Sequence, residues 1–464
     1  MFMNYNRYKL TFILFFLIFF VSFFSCGGLK EKKTSQNLIL IVVDAMRADH
    51  LGTYGYSRQT TPNIDRLAQN ALVSLNAHSQ SNWTCTAMAS LFSGTYPAVH
   101  KIYNSFESGM SRYSLLPDQL TIIPEALKQK NLYTAAVTSC GWVSPHSNYD
   151  QGFDDFLLVE RNDDIIIDAA LPIIKAKKKK NFFMYIHLLD LHDYYFFKKE
   201  QNKFLKSSYN LSPSMKTLLS KEPHEVYQTL SQIRDPEDLS DNDLNFLIDL
   251  YDSYLFYTDE LIGKIIQTLE DSNISQKTTL IITADHGENF FEHNHLFHGG
   301  DTLYNEVTHI PLIIHNPTFF PEKTIISDPV EMIDIFPTIL DLFDIGEIRV
   351  GDIKQTQGDS LLSPNPNKTI FVENAARNRN KIIRENWSYI LHRDSQKREL
   401  YNLEEDPFEQ NNLAEQETIV ANKMHKFLLR KIDDAVELSQ HIIPKDAKID
   451  KEVEKVLKSL GYIK

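Results

Sequence analysis

Between residues 37 and 345 short apolar runs alternate with amphipathic segments, the pattern of an α/β domain. Two of these runs, Asn37-Leu-Ile-Leu-Ile-Val-Val-Asp44 and Thr279-Leu-Ile-Ile-Thr-Ala-Asp-His-Gly-Glu288, have strand length and stop abruptly on acidic or imidazole side chains. Further strands are predicted at 133–138, 181–186 and 310–314, and helices at 61–71, 84–93, 122–130, 165–175 and 241–271. Ligands of an open α/β sheet collect outside the carboxyl ends of its strands. Asp44, Asp285 and His286 are therefore placed to converge on one metal ion. Carboxylates and an imidazole around a divalent cation make an ester-cleaving site.

Residues 198–241 lack clear periodicity and read as an insertion near the mouth of such a site. After Ile345 the texture changes: 346–368 is loop-rich, short strands follow at 368–372, 381–384, 387–392 and 399–402, and a helix is predicted at 417–437. Residues 451–460 again have helical spacing. A catalytic domain over 37–345 and a C-terminal subdomain over 346–464 are expected. The lysines at 175 and 177–180 close a predicted helix, where cations complement the carbonyl end, so they read as a solvated cap.

The first residues read as an export signal. Arg7 and Lys9 precede an apolar run at 10–24 that leads into Ser22-Phe-Phe-Ser-Cys26-Gly-Gly. At roughly 15 residues that run falls short of the ~20 needed to span a bilayer. The exit looks like a bacterial lipobox with Cys26 as the lipidated residue, although Phe23 stands where Leu is usual. Ordinary cleavage and an uncleaved anchor are the alternatives. Residues 27–36 then form a tether, and the expectation is an exported, membrane-anchored lipoprotein, periplasmic or at the cell surface.

With 42% hydrophobic and 23% charged residues the composition is ordinary for a globular protein. The formal charge of −13 repels phosphodiester backbones, so nucleic acid is excluded as an expected partner. Beyond Cys26 only Cys85 and Cys140 remain, which is no disulfide framework; Cys140 reads as a buried thiol.

The segments that carry chemistry lie in a recognisable order. They are Val43-Asp-Ala-Met-Arg-Ala-Asp-His-Leu-Gly-Thr-Tyr-Gly-Tyr56, Thr60-Thr-Pro-Asn-Ile-Asp-Arg-Leu67 and Trp83-Thr-Cys-Thr-Ala-Met-Ala-Ser-Leu-Phe-Ser-Gly94. Tyr185-Ile-His-Leu-Leu-Asp-Leu-His192, Asp285-His-Gly-Glu288 and Glu292-His-Asn-His-Leu-Phe-His-Gly299 follow. Asp334-Ile-Phe-Pro-Thr-Ile-Leu-Asp341 and Glu399-Leu-Tyr-Asn-Leu-Glu-Glu-Asp-Pro-Phe-Glu-Gln-Asn-Asn-Leu413 complete the series. In these residues the chain resembles the sulfatase family of the alkaline-phosphatase superfamily over nearly its whole mature length. The resemblance implies a large mixed β-sheet sandwiched by helices, with a smaller C-terminal antiparallel sheet and helix.

The family's nucleophile is a Cys or Ser oxidised to formylglycine within a Cys-x-Pro-x-Arg core. Counting back from Leu91-Phe-Ser-Gly94 puts Thr84 in that slot and Cys85 one residue late. Thr86 then replaces the Pro, and Met88 the Arg or His, so formylglycine is not expected. A hydroxyl on a divalent cation is still a competent nucleophile. Thr is also a favoured N-cap, and a helix N-terminus would aim N–H groups at a transferred anion. Superfamily members with Thr here include phosphoethanolamine and glycerol-phosphate transferases.

The resemblance also implies the ligand set Asp44, Thr84, Asp285 and His286. Ala45 stands where a second Asp is usual and His286 where Asn often stands, which favours Zn or Mn, with Ca still open. His298 occupies the position of a family residue that contacts the anion or leaving group, and His192 that of a substrate-site His. His187 and Arg47 are weaker substrate-binding candidates, Arg47 having a helix-side ion pair as its alternative. Glu288, His293 and His295 form either a rim or a second metal site. Tyr194-Tyr-Phe-Phe197 is either a substrate-facing wall or core packing.

Three functions follow. The leading one is metal-dependent hydrolysis of sulfate or phosphate esters, acting on a small anionic ester or a sulfated or phosphorylated glycan or lipid. A phosphoryl-group transferase working through Thr84 is the second. A non-catalytic, glycan- or partner-binding relative is the third, motivated by the charge missing at Met88.

Overall fold

Asn37–Val43 (β1) is buried at every residue, as a strand covered on both faces must be. The structure is a computed structural model that describes residues 35–103, 112–195, 202–206, 208–300, 302–449 and 451. The export segment with Cys26, the tether up to residue 34, Phe196, Phe197 and the helical spacing beyond 451 lie outside the described residues. No helix among the described residues is long and apolar enough to cross a membrane.

Eight further strands join β1 in one mixed sheet: Leu72–His78 (β2), Tyr133–Thr138 (β3), Asp155–Leu158 (β4), Phe182–Leu188 (β5), Thr278–Ala284 (β6), His309–His315 (β7), Thr324–Ile326 (β8) and Val330–Glu331 (β9). Their order is β9-β2-β7-β6-β1-β5-β3-β4, with β8 also paired to β2. β1 lies parallel between β5 and β6, and β7 runs antiparallel to both β6 and β2. Helices of the fold include Pro62–Ala68 (α1), Thr84–Ser93 (α2), Asp163–Lys177 (α3), Asp241–Asp271 (α4), Ile335–Leu342 (α5) and Thr418–Ser439 (α6). α1 and α3 pack against α4, while α2 packs against α5. Ile370–Glu373 (β10), Arg379–Arg384 (β11), Trp387–His392 (β12) and Arg398–Asn402 (β13) form the expected small antiparallel meander.

The departures from the sequence reading have local causes. β2 escaped the pattern because a bulge between Ser74 and Ala77 breaks its alternation and leaves Leu75 exposed. β5 runs two residues beyond the predicted end, so His187 sits on the strand and not after it. The insertion at 198–241 carries two short helices, Pro213–Leu218 and Pro223–Leu230, each begun by a proline at its first position. Lys175 and the lysines at 178–180 are exposed, whereas Lys177, the last residue of α3, is half-buried with its Nζ 3.5 Å from the centre of the Tyr133 ring. Cys85 and Cys140 are both buried, and neither is in a disulfide.

Lys368 ties the start of the C-terminal meander to the large sheet. Its buried ammonium contacts Asp334 and lies 3.3 Å from both Glu331 and Asp359. Glu331 in turn accepts from the Tyr96 hydroxyl at 2.8 Å and from the Phe371 amide at 2.8 Å. Removing the ammonium leaves two buried carboxylates without their cation, which costs about 3–5 kcal/mol. A Lys368→Met chain should therefore lose about that much unfolding free energy in urea titration. A loss below about 1 kcal/mol would show that the cluster does not hold the two sheets together.

Candidate functional site

The register of three parallel strands brings the chemistry together. Val43 is level with Leu188 on β5 and with Ala284 on β6, so Asp44 and Asp285 leave neighbouring strand ends at the same height. His187 is level with Val42, two residues below Asp44, and in a pleated sheet residues i and i+2 share a face. Asp44, His187 and Asp285 therefore meet on one side of the sheet, their ligand atoms all within 4.8 Å of one another.

Ala45, next to Asp44, adopts a left-handed backbone (φ 59°), which costs about 1–2 kcal/mol for a residue with a Cβ. The bend is clamped from two sides. The Tyr251 hydroxyl donates to the Ala45 carbonyl at 2.8 Å and accepts from the Arg47 amide at 2.8 Å. The Ala45 amide donates to Asp285 Oδ1 at 3.2 Å, as does the His286 amide at 2.9 Å.

Thr84 enters from α2. The cap of that helix is Trp83, in extended conformation, so Thr84 is the first helical residue and not the N-cap expected from its type. Its hydroxyl is thereby free of capping duty, standing 3.4 Å from Asp44 Oδ2 and 3.2 Å from His286 Nε2. The first amides of α2 have no carbonyl of their own helix to bond, which leaves a partial positive charge there. Gly94 ends the helix at φ +67° with Phe336 3.0 Å from where a Cβ would stand, so a larger residue would strain both the backbone and this packing.

His286 Nδ1 lies 2.9 Å from the Gly287 carbonyl, which can only accept, so the neutral ring carries its lone pair on Nε2. That lone pair faces Thr84, Asp44 Oδ1 at 3.6 Å and Asp285 Oδ2 at 3.4 Å. Burial holds the imidazole below its ordinary pKa despite Asp285. Burial and the neighbouring Asp285 raise Asp44, whereas for Asp285 burial is outweighed by His286 and His187, which lower it. Asp44 Oδ1, Asp285 Oδ2 and His187 Nε2 are buried without a hydrogen-bond partner. Acceptor atoms that crowd together in this way repel unless a cation joins them, so the donor set of Asp44, Asp285, His286 and the Thr84 hydroxyl fits a divalent metal.

Around this cluster His298 Nδ1 lies 3.3 Å from Glu288 Oε2, and its ring centre lies 4.2 Å from that of His286 and 4.8 Å from that of His192. Burial, reinforced by His192, pushes His298 down to about 3, and burial pushes the Glu288 carboxyl up to about 8. His192 behaves in the opposite way. Burial opposes its charge, but Asp44 and Asp193 prevail and raise it. Asp193 Oδ1 lies 2.7 Å from His192 Nδ1, and Arg161 binds the same carboxylate at 2.7 and 2.9 Å. Sequence reasoning missed Arg161, whose only signal was its place beside Asn162, the N-cap of α3.

Other candidates are drawn elsewhere. The Arg47 guanidinium is taken up by Asp49 at 2.7 Å, Glu292 at 2.5 Å and the Glu288 carbonyl at 3.0 Å, which is the ion-pair alternative and leaves little for a substrate anion. Glu288 and His293 do not converge as a rim or second metal site. His293 stacks on Tyr304 at 3.5 Å and reaches the Phe408 carbonyl at 2.9 Å. Tyr194 and Tyr195 are buried among Tyr251, Phe290, Phe297 and Tyr227, as core packing requires. Cys85 and Met88 are buried in the core, and burial pushes the Cys85 thiol far up, so it is no nucleophile.

Residues 36–345 match the sulfatase family. Arylsulfatase K of Gallus gallus is 24% identical over 82% of this chain and 79% of its own length. Phosphoethanolamine transferase EptA of Helicobacter pylori is 23% identical over 66% of this chain and 53% of its own. Among solved structures, the phosphonate monoester hydrolase of Agrobacterium radiobacter superposes with a TM-score of 0.67 at 17% identity, over 88% of this chain and 96% of that one. With this match and its buried carboxylate–imidazole cluster, the chain belongs to the sulfatase family and is a metal-dependent hydrolase of ester bonds.

Proposed function

We propose that this hydrolase cleaves its ester through a covalent intermediate on Thr84, without formylglycine, with phosphate esters preferred over sulfate esters. The observation that carries the reading is the Thr84 hydroxyl, uncapped at the start of α2 and within 3.4 Å of both Asp44 and His286. Asp44, Thr84, Asp285 and His286 would hold the metal, Zn or Mn by the imidazole among them. Bound there, a divalent cation lowers the pKa of a hydroxyl and offsets charge on the transferred group.

The chain's own residues account for the remainder. Thr84 Oγ, its proton passing to Asp44 Oδ2 at 3.4 Å, bonds to the central phosphorus or sulfur as the bond to the leaving alcohol oxygen breaks. His298 gives this leaving oxygen the proton on Nε2, and the carboxyl of Glu288 beside Nδ1 supplies the ring with another. Water then attacks the Thr84 ester, releases the anion and restores the hydroxyl. The amides opening α2, the Arg161 guanidinium and the His192 imidazole stabilise the anion that Met88 cannot. Substrate contact by His192 belongs to this reading. So does anchoring through Cys26, which rests on the residues around it alone.

A transferase differs only in the acceptor: an alcohol in place of water in the second half-reaction. Thr84 and the similarity to the phosphoethanolamine transferase favour it.

Thr84→Ala is expected to lower kcat/KM by about 10³-fold or more on phosphodiester and phosphomonoester substrates. Peptide mass spectrometry of the quenched wild type should find a phosphoryl group on Thr84. Full turnover by the Ala variant would eliminate the nucleophile, and release of free alcohol and inorganic anion without transfer would separate hydrolase from transferase. His298→Ala should cost about 10²–10⁴-fold on alkyl esters and far less on nitrophenyl esters, whose leaving group needs no proton. Equal losses on both would remove His298 from the leaving-group role.

A further inference from the structure

His187 is the buried imidazole that the cleavage scheme does not use. It is wholly inaccessible, on the central strand β5, and level with Val42 below the strand ends where a substrate would dock. Its Nδ1 is 2.8 Å from the hydroxyl of Tyr185, two residues earlier on the same face. Its Nε2 has no hydrogen-bond partner and is grouped with one carboxylate oxygen each from Asp44 and Asp285. A substrate-contacting imidazole would point to the mouth. A structural one would spend Nε2 on a protein acceptor, since buried polar atoms are nearly always paired.

We propose that His187 Nε2 is a direct ligand of the metal, a second imidazole beside His286. Tyr185 is the positioning residue that orients the ring and, by accepting from Nδ1–H, leaves the lone pair on Nε2. The assignment rests on the metal site of the proposed function and deepens it. Two imidazoles, two carboxylates and a hydroxyl form a mixed nitrogen–oxygen shell that favours Zn or Mn and discriminates against Ca, which takes oxygen ligands. His187 thus adds to the metal selectivity that His286 begins, and it does so from the sheet's interior and not from the loops.

The test is made on the full chain loaded with zinc. X-ray absorption fine structure at the zinc edge should count two imidazoles in the wild type, and His187→Gln should leave one. By chelator competition the Gln variant should bind zinc at least about tenfold more weakly while its calcium affinity changes little. Tyr185→Phe, which keeps the imidazole but frees it, should weaken zinc less than the Gln change and still show two imidazoles. A single imidazole in the wild type overturns the assignment without needing any variant to fold, as does unchanged zinc affinity in His187→Gln. Should the wild type take up no metal, the proposed function falls with it. Zinc bound through one imidazole and lost in Asp285→Ala would leave that function standing and remove His187 alone.

Discussion

The parallel pairing of β1 with β5 and β6 is the constraint on which the site depends. Its register sets Asp44 and Asp285 at one height and His187 a pleat below. A shift of one residue in either pairing would turn one of these side chains to the opposite face of the sheet. That register is fixed by apolar side chains that have no part in the chemistry: every residue of β1, β5 and β6 is buried, so a slip would put nothing better in their place. Packing thereby enforces what electrostatics opposes. Two buried carboxylates and an imidazole lone pair share one small volume, and their mutual repulsion is relieved by a cation.

The same opposition appears in the backbone. Ala45 is held left-handed immediately after the first carboxylate, and both of its peptide groups are bonded, one to Tyr251 and one to Asp285. Strain at such a place persists only where the surroundings over-determine it. Here the surroundings are α4, which supplies Tyr251, and the second ligand strand, which supplies Asp285. The long helix is therefore part of the site's support although it contributes no ligand.

Much of this was legible in the chain because strands that end on ligands are the least ambiguous pattern a sequence offers. β1, β3, β6, α2 and α4 were readable from apolar runs and helical spacing alone. β2 was not, since a bulge carries no compositional mark and hides the alternation on either side of it. The end of β5 was misjudged for a related reason. His187 looked like the first polar residue after a strand, whereas in the fold it is a polar residue within one. Arg161 was invisible because its partners, His192 and Asp193, come from a different strand end and share no spacing with it. The role of Thr84 turned on a single position: as N-cap its oxygen would bond its own helix, and as first helical residue it faces Asp44 and His286.

The missing positive charge at Met88 bears on whether this site is functional. Met88 lies one turn beyond Thr84 on α2, wholly buried, and a cation there would have had to be accommodated among core side chains. The cationic groups stand instead across the site. Arg161 precedes α3 and His192 follows β5, and the two are joined through Asp193. The field of Asp44, with Asp193, raises His192 against the desolvation that opposes its charge, so the first-strand carboxylate also acts on the imidazole beside it. A decaying site would be expected to lose such interdependence first, because each group is costly to bury without the others. The interdependence of these groups at three separate strand ends is what a working site requires.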